Sequence, residues 1–148
     1  MYENVALGGT FDNMHYGHCK LLTLAALCCS KCLTVGITGD SMLSMKSNAN
    51  MISNFSYRRN AVNSFIQSIK PVLELRLPEL SDPFGPAITD PNIQAIVVSS
   101  ETIRGAFKIN SIRLERGLLP LAVLVTYRTD SVVLSSTFIR EKKQLNLK

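Results

Sequence analysis

The sequence predicts an α/β protein built on a doubly wound parallel sheet of five strands, in a single domain. Two observations predict it. Short apolar, β-branched runs alternate with helix-patterned runs from one end of the 148 residues to the other, and alternation of that kind puts a parallel sheet between two layers of helices. Each unusual cluster of polar or glycine residues also follows directly on one of the apolar runs, where open parallel sheets bind their ligands. A chain of this length makes one domain and buries roughly two thirds of its unfolded surface.

The elements follow in order. NVALGGT (4–10) is a short apolar run ending in glycines, a buried strand meeting a tight turn. From Tyr16 to about Ser30, Leu21, Leu22, Leu24, Ala25 and Cys28 recur at helical spacing. CLTVGIT (32–38) reads as the second strand, and the polar stretch 39–54 as a loop. SYRRNAVNSFIQSIK (56–70) is a helix with Val62, Phe65, Ile66 and Ile69 on one face and Pro71 just beyond it. VLELRLPEL (72–80) alternates like an edge strand. SDPFGPAITDP (81–91) is a structured loop with room for a short helix. IQAIVVSS (93–100) is a buried strand, 101–117 a helix stopped by Gly117, and LPLAVLVTY (119–127) the last strand. Ser135-Ser136-Thr137 offers an N-cap to a closing helix.

Composition narrows the function classes. The chain is 46% hydrophobic and 18% charged, as globular proteins are, and its net charge of +5 suits an anionic partner. Basic residues are scattered and Trp is missing, so nothing marks a nucleic-acid surface. The longest apolar stretch, LLTLAALCC (21–29), is too short to span a bilayer, and the N-terminus lacks a basic leader, so the expectation is a cytoplasmic protein without a membrane partner. The four cysteines, Cys19, Cys28, Cys29 and Cys32, lie in the first quarter. Cys29-x-x-Cys32 looks like half of a zinc or redox site, but no second ligand pair follows, and buried thiols are the expectation.

The chemistry concentrates in GGTFDNMHYGH (8–18), which holds both histidines of the chain. Gly8-Gly9 permits close backbone approach, and the helix starting near Tyr16 aims free N–H groups at the same place, so phosphate is the natural occupant. His15 and His18 neighbour each other across the first turn, with Gly17 clearing the space between them. Such a pair can donate hydrogen bonds to a phosphoryl group as charge builds on it. It could instead share a metal with Asp12, a poor zinc set, or simply cap the helix. Ser135, Ser136, Thr137 and Arg140 form a second anion cradle, and two cradles in one cleft suit a polyphosphate. Neither a dinucleotide fingerprint nor a P-loop occurs.

GGTFDNMHYGH resembles the first signature of the HxGH nucleotidyltransferases, and LSSTFIR (134–140) resembles the second. Within that superfamily, LSDPFGPAITDPNIQAIVVSSETIRGAFKINSIRLERGL (80–118) resembles the phosphopantetheine adenylyltransferase of archaea and the corresponding domain of eukaryotic CoA synthase. The resemblance implies a Rossmann-like sheet of order 3-2-1-4-5. It also implies the reaction: transfer of the adenylyl group of ATP to 4′-phosphopantetheine, giving dephospho-CoA and pyrophosphate, with Mg²⁺ accompanying the nucleotide. His18, His15 and Lys46 would be catalytic. Gly9, Thr10, Phe11, His15, Gly17, His18, Arg104, Gly105, Glu115, Ser135, Ser136, Thr137 and Arg140 would bind ATP. Thr10, Lys46, Phe84 and Arg104 would meet phosphopantetheine, no residue would hold a protein-bound metal, and Arg58 would lie on a helix surface or touch substrate. The resemblance further implies a monomer, unlike the hexameric bacterial enzymes, and either a stand-alone enzyme or a domain of a longer chain. The other readings are a superfamily member with a different nucleotide or acceptor, and a non-catalytic nucleotide binder. CCSKC has no part in the signatures.

Overall fold

Alternate residues of each strand face opposite ways, and the chain writes a different core on each side of its sheet. In the computed structural model, which describes residues 1–43 and 52–127, Val5 and Leu7 of β1 (Tyr2–Gly9) join Leu33, Val35, Ile37, Val97 and Leu124 beneath α1 (Tyr16–Cys28) and α3 (Phe55–Ile69). Ala6 between them faces the other way, with Ile96, Val98 and Val125, against α4 (Ile103–Glu115). Helices therefore cover both faces, as the alternation predicts.

All strand pairs are parallel. β2 (Cys29–Thr38) and β5 (Ala95–Ser99) flank β1, β6 (Ala122–Thr126) lies outside β5, and β3 (Glu74–Arg76) and β4 (Glu79–Leu80) share the outer side of β2. The order is β3-β2-β1-β5-β6. The predicted order 3-2-1-4-5 is this one, with the third run broken in two. Pro78 causes the break, since it has no N–H to give the ladder, while its carbonyl still accepts from the Ile37 N–H at 2.9 Å. Strand order reverses between β1 and β5, and that is where an open α/β sheet leaves its crevice.

Boundaries shift where capping decides them. α1 ends at Cys28 and β2 starts at Cys29 with no loop between, earlier than the predicted strand at 32. Lys70 reaches across from the end of α3 and donates to the carbonyls of Ala26 (3.1 Å) and Cys29 (2.6 Å), satisfying the end of α1 with a cation as its dipole favours. The predicted loop 39–54 contains a one-turn helix, α2 (Asp40–Leu43). A 3₁₀ turn occupies Gly85–Ile88 inside the proline-rich loop. None of the four cysteines is in a disulfide; Cys29 and Cys32 are buried and Cys19 and Cys28 half-buried. Three residues of strand separate Cys29 from Cys32 by about 10 Å, too far for a disulfide or a shared metal. Among the described residues no helix is long and apolar enough to cross a membrane.

α4 stops as Gly117 dictates. Its φ of 77° lets the Leu118 N–H reach the Arg113 carbonyl (2.8 Å) and the Gly117 N–H reach that of Leu114 (3.1 Å), a Schellman closure. Gly117→Ala should lower stability by about 1 kcal/mol in urea unfolding, because a Cβ is disfavoured at that φ while the space around it is open.

Candidate active site

Two hollows open at the C-terminal edge of the sheet. The larger, about 570 Å³, lies over the reversal point and is lined by Gly8, Gly9, Phe11, His15, Gly17, His18 and Lys20 from the first crossover, with Ser99 to Thr102 after β5 and Thr126 and Tyr127 at the end of β6. The smaller, about 220 Å³, is mostly apolar and lies on the α4 face. Its floor is the small side chains of Ala6, Gly8, Thr34, Gly36 and Thr38, and its walls include Leu80, Phe84, Ala87, Gly105 and Ile109. Gly8, Gly9 and Thr102 border both hollows, so occupants of the two would meet there.

The loop from Thr10 to His15 is held in a strained form. Phe11 (φ 54°) and Asn13 (φ 47°) lie in the left-handed region without being glycine, each at a cost of roughly 1–3 kcal/mol. Burial of the Phe11 ring opposes that strain from below, and its centroid lies 5.5 Å from that of His18. Asp12, between the two, accepts from the Ser53 N–H at 3.0 Å.

Arg58 completes the hold. The sequence suggests a helix surface or a substrate contact for it; the structure buries it to 1% exposure on α3 and gives it neither role. Its Nη1 donates to the carbonyls of Thr10 (3.0 Å) and Thr38 (2.6 Å), where β1 and β2 run out. Nε donates to the Ser53 carbonyl (2.8 Å), and Nη2 to the Asp40 carboxylate (2.8 Å). The Thr10 hydroxyl lies 3.5 Å from that of Thr38.

The histidines cap the helix and remain available for chemistry. His15 is the N-cap of α1: its Nδ1 accepts from the Gly17 N–H (3.0 Å), while His18 Nδ1 accepts from the His15 N–H (3.3 Å). This is a capping box built from imidazoles. An accepting Nδ1 carries no proton, so in each neutral ring the proton is on Nε2. The rings stack with centroids 3.8 Å apart and 25° between planes. Gly17 suits that packing, since a Cβ there would lie 3.0 Å from His15 Cε1 and the ring would have to give way. Burial, and secondarily the neighbouring His15, lower the pKa of His18 against an opposing pull from Asp12. His18 is therefore a neutral donor near pH 7.

Other predicted residues fall in separate places. Phe84 walls the apolar hollow, with Lys108 Nζ 5.7 Å from its ring centroid. The Asp82 carboxylate, held below the ordinary range by the N–H groups of Gly85 and Phe84, fixes the turn before it. Gly105 lines the same hollow, and Arg104 is exposed on the first turn of α4. Glu115 ends α4, about 16 Å along the axis from Arg104 at 1.5 Å per residue, and is not among the residues lining either hollow. Lys46, Ser135, Ser136, Thr137 and Arg140 lie outside the described residues. The sequence reading passes over Lys20, whose ammonium donates to the Tyr127 carbonyl at 2.7 Å, and over Ser99 and Thr102, whose hydroxyls are 3.1 Å apart. The available signal for Ser99 and Thr102 was their place at the end of β5, and for Lys20 its place one turn into α1 beyond the histidines.

Arg58→Met should cost at least about 3 kcal/mol in chemical denaturation, because the buried carbonyls of Thr10 and Thr38 lose their shared donor. A loss under 1 kcal/mol would show that water or a shifted loop replaces the guanidinium.

The comparisons with known proteins agree with this geometry. Residues 6–142 match the model of the cytidylyltransferase-like family. The phosphopantetheine adenylyltransferase of Pyrobaculum aerophilum is 42% identical over 94% of this chain and 90% of its own. An uncharacterized protein of Schizosaccharomyces pombe is 38% identical over 93% of this chain, which spans only 47%, about half, of that relative. A crystal structure of a protein of unknown function from Archaeoglobus fulgidus superposes with a TM-score of 0.76 at 29% identity, covering 88% of this chain and 93% of that one. The chain belongs to the cytidylyltransferase-like family and is similar along nearly its whole length to a phosphopantetheine adenylyltransferase.

Proposed function

We propose that this chain transfers the adenylyl group of ATP to 4′-phosphopantetheine, releasing pyrophosphate and forming dephospho-CoA. One observation carries the reading: two stacked imidazoles whose Nδ1 atoms are committed to the helix cap and whose Nε2–H donors remain, on a cleft floored by Gly8 and Gly9. Similarity to the archaeal adenylyltransferase supports the choice of substrates. The apolar hollow, sharing Gly8, Gly9 and Thr102 with the polar cleft, suits a pantetheine arm whose phosphate end reaches the nucleotide.

In this mechanism an oxygen of the acceptor phosphate attacks the α-phosphorus of ATP, the bond to the β-phosphate breaks, and pyrophosphate leaves with that electron pair. The protein supplies no nucleophile. Catalysis comes from alignment and from donors aimed at the charge growing on the α-phosphate. His18 and His15 are those donors, and the N-terminus of α1 adds its dipole. Thr10 would touch the attacking phosphate, Phe84 the pantetheine arm, and Arg104, at the start of α4, both substrates. In the same reading Lys46 clamps the two phosphates and Ser135, Ser136, Thr137 and Arg140 hold the leaving pyrophosphate. In this reading Mg²⁺ would arrive on the triphosphate as part of the substrate. The enzyme would work in the cytoplasm, as a monomer.

Incubation with MgATP and 4′-phosphopantetheine should release pyrophosphate in step with dephospho-CoA. Turnover only with CTP, or only with another acceptor, would overturn the substrate assignment, and nucleotide binding without turnover would overturn the enzyme. His18→Ala should cut turnover at least about a hundredfold with ATP affinity nearly unchanged, as loss of a transition-state donor does. His18→Asn, which can still accept the His15 N–H, should lose turnover equally while restoring helix stability. Acid should also inactivate the enzyme. A proton on His18 Nδ1 would end its acceptance of the His15 N–H, so the cap that orients the ring is intact above the ordinary imidazole value of about 6.5 and is lost as pH falls through the lower pKa of His18. A kcat/KM profile with an acid limb midpoint above that value would contradict the assignment.

A further inference from the structure

Among the described residues Arg113 is the other guanidinium that the fold buries, at 1% exposure, and the mechanism does not use it. It sits on the inward stripe of α4 with Ala106 and Ile109. Its donors go to backbone carbonyls: Nη1 to Ala87 (2.8 Å) and Asp90 (2.9 Å), Nε to Leu119 (2.7 Å), and Nη2 to Ile93 (3.5 Å). Three of those four carbonyls belong to the segment 87–93, which continues directly from the wall of the apolar hollow, where Phe84, Pro86 and Ala87 line it. One turn on, exposed Arg116 donates to the Ile88 carbonyl at 3.3 Å. The opposite wall is α4 itself, through Gly105, Ala106 and Ile109. The two arginines therefore tie one wall of the hollow to the helix that forms the other.

The tie is costly to replace. A proline-rich loop with a 3₁₀ turn leaves carbonyls that no ladder satisfies, and a buried guanidinium, with five N–H donors in a fixed fork, answers several at once from one direction. Lysine can answer fewer, from a point. Neighbouring restraints bound the same unit: the Asp82 carboxylate holds the N–H groups of Phe84 and Gly85, and Asn110 exchanges two hydrogen bonds with Leu121, fixing α4 to the start of β6. Neither arginine is among the residues lining the hollow, so any influence on an occupant passes through the loop.

We propose that Arg113, assisted by Arg116, is a positioning residue for the acceptor substrate, fixing the distance between the 84–90 wall and α4 and thereby the fit of an apolar arm between them. This rests on the reading of the apolar hollow as the acceptor site. It also explains why the run 81–91 and the Arg113-x-x-Arg116 pair occur together: each is the other's hydrogen-bonding complement.

The test is the separation of the two substrates' constants. In Arg113→Lys, KM for 4′-phosphopantetheine should rise roughly tenfold or more, as loss of charged hydrogen bonds does, while KM for ATP stays within twofold. Arg116→Ala removes an exposed side chain, cannot endanger folding to the same degree, and should raise the acceptor KM alone by a smaller factor. Arg113→Met should exceed Arg113→Lys, so that lysine shows partial rescue. A rise in both KM values together, or lowered melting temperatures with unaltered constants in Arg113→Lys and Arg116→Ala, would overturn the assignment and leave the arginines as supports of the fold. Absence of dephospho-CoA formation by the unmodified chain would instead overturn the functional reading, and this inference with it.

Discussion

A parallel sheet ends with its strand carbonyls aimed at whatever lies beyond, and here the ends of β1 and β2 are closed by one buried cation. Arg58 takes the carbonyls of Thr10 and Thr38 on the same nitrogen, and the Ser53 carbonyl and the Asp40 carboxylate on its others. Because Thr10 begins the loop that carries both histidines, this contact sets where the loop leaves the sheet. The positive φ values of Phe11 and Asn13 are tolerable only in a backbone so tied, since each alone disfavours the conformation. Strain in this loop is thus balanced by hydrogen bonds made just behind it, and the histidine loop is held from α3, an element that reaches the cleft through no side chain lining it.

An imidazole can cap a helix with one nitrogen and donate from the other. Each ring here has one nitrogen facing its own backbone and another free of that duty. Committing Nδ1 as acceptor decides the tautomer, and the tautomer decides that Nε2 is a donor. Two rings stacked 3.8 Å apart also disfavour simultaneous protonation, which agrees with the lowered pKa of His18. In the proposed reaction a neutral donor would have an advantage over a cation at this point: it would stabilise charge developing in the transition state without gripping a ground-state triphosphate equally hard.

Much of this is legible in the sequence, and the failures share a physical cause. Strand-helix alternation, the reversal point and the histidine turn are local patterns, so they survive reading one residue after another. Arg58 and Arg113 do not. On an amphipathic helix an arginine is normally exposed, and nothing local distinguishes one that turns inward to carbonyls brought there by distant loops. The broken edge strand was hidden for a related reason, since alternation persists across Pro78 although the ladder does not. Glu115 sits in the expected helix, at the last residue of α4 and not among those lining either hollow.

The two hollows also explain why the chain writes such small residues into one face of its central strands. On the α1 and α3 side, Val5, Leu7, Leu33, Val35 and Ile37 fill the interlayer space and make the core that holds the sheet. On the other side, Ala6, Gly8, Thr34, Gly36 and Thr38 leave it open, and only β5 and β6 meet α4 with larger side chains. Each methylene withheld from the core gives up roughly 0.8 kcal/mol of burial, so a face of alanine, glycine and threonine is a real cost in a domain of this size. The second face could have been packed like the first with no change in topology. That it is not, directly beside the histidine turn, leaves the open face continuous with the cleft over the reversal point, where Gly8, Gly9 and Thr102 border both hollows.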